Sequence, residues 1–216
     1  MQSTNYIPAL KYNWLTKFYD GLIENFLREN FFKTALINQA TVPNPKSIID
    51  IGSGTGTLTL MLHKKFPDAV VFGIDGDENI IRIANQKNNS SGKVHFQQGM
   101  SYNLPNDENS ADITTSSLML HHLTDADKVR TLRECLRVLK PNGEMLIADW
   151  GKASNSLMRL LFYIVQLLDG FETTSSNTKG MVVDFMKHAG FQQVHICQKI
   201  DTLLGTIDIY KGTKQN

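Results

Sequence analysis

The chain has 216 residues with 22 basic and 21 acidic side chains, a net charge of +1, and length enough for one domain with a full core. No dense run of Lys and Arg offers the phosphate contacts of a nucleic-acid binder, and no apolar run reaches the ~20 residues that span a bilayer. Cys135 and Cys197 lack any C-x-x-C spacing, so they read as reduced core residues of a cytoplasmic protein, and the N-terminus lacks the basic-then-apolar form of a signal peptide.

Aromatic side chains crowd the first 40 residues. Tyr12, Leu15 and Tyr19 recur at i, i+3, i+7, and Trp14, Phe18 and Leu22 at i, i+4, i+8, which predicts a helix, and Pro43 and Pro45 end this segment. The stretch from Ser47 to Leu58 reads as a buried strand, a turn with Gly52, Gly54 and Gly56, and the start of a helix. Without Cβ atoms such a turn tolerates φ > 0 and lets a ligand lie close to bare main chain. The dinucleotide fingerprint has its third glycine one residue later, which weakens a nicotinamide reading, and no Tyr-x-x-x-Lys pair supports an oxidoreductase. Asp50, two residues before the first glycine, would repel phosphate and attract an ammonium group. Ser53 in this turn, and Gly76 further on, are expected among the residues that bind the cofactor.

Leu58, Met61, Leu62 and Phe66 form the stripe of the next helix, which Pro67 breaks. The second strand, Val70–Asp75, ends on a carboxylate about 20 residues past the glycines, where it can accept hydrogen bonds from two ribose hydroxyls. Ribose plus ammonium without phosphate points to S-adenosylmethionine. Asp77 caps a helix running to about residue 89 with Ile80, Ile81 and Ala84 inward, and Val94–Gln98 is the third strand. This alternation predicts a doubly wound α/β fold with a mostly parallel sheet.

The fourth strand, residues 111–116, ends in Ser116 and delivers His121 and His122 to the carboxyl edge, where open α/β sheets bind ligands. Adjacent histidines point different ways and make a poor metal pair, so no metal is expected. Either histidine can hydrogen-bond its loop, or act as base or substrate anchor, with His122 the first choice. Thr124 or Asp125 caps a helix with Val129, Leu132, Leu136 and Leu139 buried and Arg130 pairing Glu134, stopped by the turn signal Pro141-Asn142-Gly143. A fifth strand over residues 144–150 brings Asp149 and Trp150 to the ligand edge as groups that orient substrate. Residues 157–168 are apolar nearly all round, so their helix needs a cover: the domain core, a second subunit making a homodimer, or a greasy surface. Val182, Val183, Phe185, Met186 and Ala189 give a helix ended by Gly190, then a strand through Val194, Ile196 and Ile200, a turn at Asp201-Thr202, and a returning strand over residues 203–210.

Four pieces, D-I-G-S-G-T-G (50–56), G-I-D (73–75), S-S-L-M-L-H-H-L (116–123) and L-R-V-L-K-P-N-G-E (136–144), occur in order. Through them the sequence resembles the class I S-adenosylmethionine-dependent methyltransferases, most nearly the quinone-biosynthesis-type small-molecule branch. The resemblance implies seven strands closed by an antiparallel C-terminal pair, in a single domain. Residues 1–42 would form a helical cap, 43–150 the cofactor-binding half, and 151–216 a substrate-side insert and closing strands. It also implies that the cap lies over the cofactor with Tyr12 or Tyr19 lining the pocket, and that residues 99–105 flank the adenine. Resembling enzymes carry an acidic residue at the position of Met100. Here the main chain of Met100 and Ser101 would serve, with the methionine sulfur against the ring. The expected activity is methyl transfer to a small, partly apolar molecule, against a rival reading as a non-catalytic S-adenosylmethionine-binding interaction module.

Overall fold

A computed structural model describes residues 29–89 and 92–215. Helix α1 (Glu29–Ile37) leads into β1 (Ser47–Ile51), α2 (Thr57–Lys65), β2 (Val70–Asp75), α3 (Glu78–Lys87), β3 (Val94–Gln98) and β4 (Ala111–Ser117). A 3-10 turn (Leu120–His122) is followed by α4 (Asp125–Val138), β5 (Leu139–Trp150), α5 (Ser156–Asp169), α6 (Phe171–Thr178), α7 (Val182–Ala189), β6 (Gln192–Thr202) and β7 (Gly205–Thr213). The strands make one seven-stranded sheet in the order β3-β2-β1-β4-β5-β7-β6, with β7 antiparallel to both its neighbours and the other pairs parallel. Order reverses between β1 and β4, so the crevice at their carboxyl ends is the topological switch point where such sheets take ligands.

Apolar side chains on both faces of the strands explain the two-sided cover. Ile48 and Ile113 face α1, α2 and α5 through Phe32, Leu36, Leu58, Leu62, Phe162 and Val165. Ile49, Ile51 and Ile147 face α4 and α7 through Leu132, Cys135, Val138, Val182 and Met186. Burial of a leucine such as Leu58 or Leu62 contributes about 1.5–3 kcal/mol. At the opposite edge from the crevice, Glu144 accepts from Thr41 N at 2.9 Å, from the Thr41 hydroxyl, and from Lys211 Nζ at 2.9 Å, tying the segment after α1 to β5 and β7.

The expected helix caps form, and several other local expectations change. Asp77 caps α3 through Asn79 N and Ile80 N, and Thr124 rather than Asp125 caps α4. Arg130 pairs with Asp127 at 2.8 Å and lies 4.4 Å over the Tyr102 ring, while Glu134 pairs with Arg137 at 2.8 Å and accepts from Leu104 N. Spacing of three residues wins over four here because each arginine has a second partner on the neighbouring loop. The buried face of α4 is Lys128, Thr131, Leu132, Cys135 and Val138, rotated from the expected stripe, because α6 and α7 pack against it. Pro141-Asn142-Gly143 does not separate helix from strand: β5 starts at Leu139, and Asn142, at φ +63°, donates to Lys214 O while Lys214 N donates to Gly143 O. The β6–β7 turn falls at Leu203-Leu204, where the Thr202 hydroxyl accepts from Leu204 N and donates to Gly205 O.

In α5, Phe162, Val165 and Gln166 are buried, whereas Leu157, Leu160, Ile164 and Leu167 are 60%, 63%, 51% and 73% exposed. The domain core therefore covers one face of this helix and leaves the other in water. No helix among the described residues is long and apolar enough to cross a membrane. Helix α6, bounded by Gly170 at φ +99°, was not foreseen: its run F-E-T-T-S-S-N-T has neither a strong apolar period nor high helix propensity, and contacts to the 3-10 turn and to β5 hold it in place.

Candidate active site

The glycine turn runs off β1 over the end of β2. Gly52 N and Ser53 N both donate to Ile74 O, at 2.8 and 3.0 Å, and Gly54 N donates to Asp75 Oδ2 at 2.9 Å. All three glycines have positive φ, +69°, +53° and +86°, but they serve different ends. A Cβ at Gly52 would stand 2.4 Å from Met119 Cγ, and one at Gly56 would stand 2.5 Å from Phe96 Cζ. At Gly54 no atom lies within 4 Å of that point. Gly52 and Gly56 therefore make room for neighbouring side chains, and Gly54 alone presents bare main chain to open space.

The two carboxylates differ in access. Asp50 is 1% exposed and accepts from the Thr59 hydroxyl at 2.7 Å and the Thr115 hydroxyl at 2.8 Å. Burial drives its pKa up to about 6 against the pull of those two hydrogen bonds. Each oxygen of Asp50, the carboxylate expected to attract a ligand ammonium, accepts one hydroxyl hydrogen bond. Asp75, only part-buried, accepts from Asp77 N at 3.0 Å and from Gly54 N, and its pKa is also raised, burial outweighing those bonds. Each of its oxygens keeps accepting capacity beyond these single bonds.

Around them, Ser53 Oγ and Ser116 Oγ are buried without a hydrogen-bond partner, Ser116 standing beside Ile51 in the β1–β4 register. Gly76 is part-buried, with its carbonyl accepting from Gln98 Nε2. Met100 bridges Asn103 in a tight turn that uses its carbonyl, and the Ser101 hydroxyl bonds that of Thr131 on α4. The residues expected beside an adenine thus have part of their polar capacity already engaged.

Past β4 the backbone turns sharply at Leu118, whose φ of +50° is a left-handed conformation that a branched side chain adopts at a cost of order 1–3 kcal/mol. This turn lays Met119 on Gly52 and starts the 3-10 turn that carries the histidines. His121 is 3% exposed, and its Nδ1 lies 2.7 Å from Asp149 Oδ1. Asp149 is fully buried and accepts further from Leu120 N at 2.8 Å, His121 N at 3.4 Å, Trp150 N at 2.7 Å and Asn177 Nδ2 at 3.2 Å. Burial alone would raise its pKa; the charge and hydrogen bond of His121, with the Trp150 amide, bring it below the ordinary value. The His122 ring lies 4.0 Å from that of His121, and burial, then His121, pull its pKa down to about 3. Trp150, 3% exposed, meets His121 edge-on at 6.3 Å and Phe162 at 5.0 Å, so it is a wall behind the histidine.

The structure therefore brings Asp50, Gly52, Ser53, Gly54, Gly56, Asp75, Gly76, Ser116, His121, His122, Asp149 and Trp150 to one edge of the sheet, with Met100 and Ser101 past the end of β3. Tyr12 and Tyr19 lie outside the described residues. Among the described residues no group of three or more His, Cys, Asp or Glu side chains is arranged to hold a metal ion. Sequence reasoning missed Thr59 and Thr115, Leu118, Lys128 and Asn177. Only the pairing of strands and helices aims these side chains, so no local pattern marks them.

Residues 48–143 match the methyltransferase domain family. A demethylmenaquinone methyltransferase of Lactobacillus johnsonii is 31% identical over 141 residues, covering 63% of this chain and 55% of that protein. The ubiquinone/menaquinone biosynthesis C-methyltransferase UbiE of Shewanella sediminis is 27% identical over 218 residues, covering 89% and 83%. Over these stretches the chain is similar to methyltransferases, those of quinone biosynthesis among them. Two solved methyltransferases share its fold. Human N-acetylserotonin methyltransferase in complex with S-adenosylmethionine aligns with TM-score 0.68 at 18% identity over 85% of this chain and 52% of that one. A possible histamine N-methyltransferase of Thermotoga maritima aligns with TM-score 0.69 at 20% identity over 93% and 98%.

The residues at the switch point fit S-adenosylmethionine, the cofactor that these similarities support. The open side of Gly54 is a cradle that any Cβ would begin to fill, Asp75 has lone pairs for ribose hydroxyls, and the orphaned hydroxyls of Ser53 and Ser116 need partners.

Proposed function

We propose that this methyltransferase places a methyl group on a ring carbon of a small quinol-type acceptor. The observation that carries this reading is its 27% identity to a C-methyltransferase of quinone biosynthesis across 83% of that protein's length. An aromatic wall of Trp150 and Phe162 behind a buried histidine also suits a flat, partly apolar acceptor better than an amine. When bound, the cofactor supplies a methyl group on positively charged sulfur, already electrophilic. The protein therefore has to hold, align and dry the reactants.

In this reading Gly54 and Asp75 seat the adenosine, Ser53 and Ser116 receive the polar end of the cofactor, and Gly76, Met100 and Ser101 border the base. The buried carboxylate of Asp50 adds a negative field below the turn. Transfer from the sulfur to a ring carbon would require the hydrogen on that carbon to leave as a proton. His121 receives the proton. An imidazole whose pKa is pulled to about 3 is a weak base at neutral pH, so His122 serves as a neutral neighbour. The enzyme works in the cytoplasm without nucleic acid, as a homodimer through residues 157–168.

The test is mass spectrometry after incubating the full chain with S-adenosylmethionine and a short-tailed demethylmenaquinol. One added methyl on the ring supports the reading. Methylation of histamine or another amine with no change in the quinol overturns it.

A further inference from the structure

Asn177 has no part in the reading above, yet it is fully buried and aims a polar side chain at the site. Its Nδ2 donates to Asp149 Oδ1 at 3.2 Å, the same oxygen that faces His121 Nδ1 at 2.7 Å, while its own Oδ1 is buried with no partner. That orientation is the only one the network allows, since a flipped amide would set oxygen against carboxylate oxygen. An orphaned amide oxygen is a net loss that a leucine of similar volume would avoid. Packing therefore does not account for an asparagine at this position, and the contact with Asp149 does.

We propose that Asn177 is a positioning residue for the methyl-transfer step: by donating to Asp149 it holds that carboxylate ionised and oriented, and so confines proton exchange on His121 to Nε2. The proposal rests on the reading of His121 as the base. The geometry supports it at each link. Asp149 Oδ2 is fixed by Leu120 N, and Oδ1 by Trp150 N and Asn177, so the carboxylate cannot rotate. A carboxylate with that many donors stays ionised and accepts. Facing an acceptor, Nδ1 must carry a proton, and only Nε2 can gain or lose one. Removing the amide takes one donor away and makes Asp149 a better acceptor. The imidazolium form of His121 is then favoured more, and Nε2 releases its proton at higher pH.

The other charged or titratable groups around this pair in the described residues are His122 on the same turn, Lys128 on α4, and Tyr210 and Asp208 on β7; Lys128 and Tyr210 both sense Asp149, and Asp208 is its cross-strand partner. Lys128 Nζ is held on α6 by Thr173 O and Ser176 Oγ, both at 2.6 Å, and Asn177 is the next residue. Helix α6 is thus anchored to α4 in the turn just before the amide, which keeps it on Asp149.

The experiment is long-range nitrogen–proton NMR on the full chain labelled with 15N-histidine and without ligand, followed through pH, with His121→Gln to assign the signal. The wild-type His121 should show a protonated Nδ1 at every pH while Nε2 alone titrates. In Asn177→Leu the midpoint should move up by about half to one pH unit, and in Asn177→Asp, which sets a second carboxyl beside Asp149, by more. In Asp149→Asn the proton should pass to Nε2 in the neutral ring, and turnover should fall at least about 100-fold. An Nε2-protonated neutral His121 in the wild type, or an unmoved midpoint in both Asn177 variants, overturns the proposal. The wild-type tautomer is read even if Asn177→Leu fails to fold. If the NMR results hold and no quinol is methylated, the substrate reading fails while the positioning role stands.

Discussion

Asp50 is a carboxylate shut away from water beside two threonine hydroxyls, so its ionisation is linked to folding. Its folded pKa, about 6, lies above the ordinary aspartate value of 3.8. Between those values the native state holds a proton that the unfolded state has released, so stability falls as pH rises through the window and is constant above it. The shift of about two units corresponds to roughly 3 kcal/mol. Chemical denaturation of the wild type and Asp50→Asn at pH 4.5 and pH 7.5 should show the wild type losing about 2–3 kcal/mol relative to the variant over that interval. An equal difference at both pH values would place the proton elsewhere. Gly54 gives a second test at this scale. Valine there needs φ +53° with a branched Cβ in the open cradle, so calorimetric titration should show S-adenosylmethionine affinity falling at least tenfold. Alanine at Gly52 instead meets Met119 at 2.4 Å, and its effect should appear as about 1–3 kcal/mol of lost stability.

At the scale of elements, α6 shows how buried polar contacts substitute for an apolar stripe. Its hold on α4 is the Lys128 ammonium, fully buried and bonded to Thr173 O, Ser176 Oγ and Asp125 Oδ1. Burial lowers the pKa of this lysine, and Asp125 offsets part of that. Lys128→Ala would leave the carbonyl and hydroxyl unsatisfied, so unfolding should be easier by about 3 kcal/mol. Hydrogen exchange should quicken first in residues 171–178, and unchanged protection there would show that the helix is held otherwise. The lysine is legible in sequence only as one more charged residue on a helix, because its acceptors lie 45 and 48 positions away. By contrast α3 was legible to its cap, since Asp77 bonds residues two and three places on.

For the molecule as a whole, the outer face of α5 is the largest run of exposed apolar side chains on one helix among the described residues, with Leu157, Leu160, Ile164 and Leu167. If residues 157–168 pair two copies, sedimentation should find a dimer for the wild type and a monomer for Leu160→Glu with Leu167→Glu. A wild-type monomer at micromolar concentration removes the dimer from the proposed function. The sequence by itself determined the alternation of strands and helices, the glycine turn and the carboxylate that closes β2, because each depends on neighbours a few residues apart: periodicity, caps and turn chemistry. Only the tertiary structure decided that Gly54, of the three turn glycines, opens on space, that Asp50 is shut in beside Thr59 and Thr115, and that His121 rather than His122 meets Asp149. Those outcomes depend on which strands lie side by side and how a single left-handed residue, Leu118, swings the chain after β4. Contacts between residues 28 or 65 positions apart are set by the packing of a whole sheet, and no local pattern encodes them.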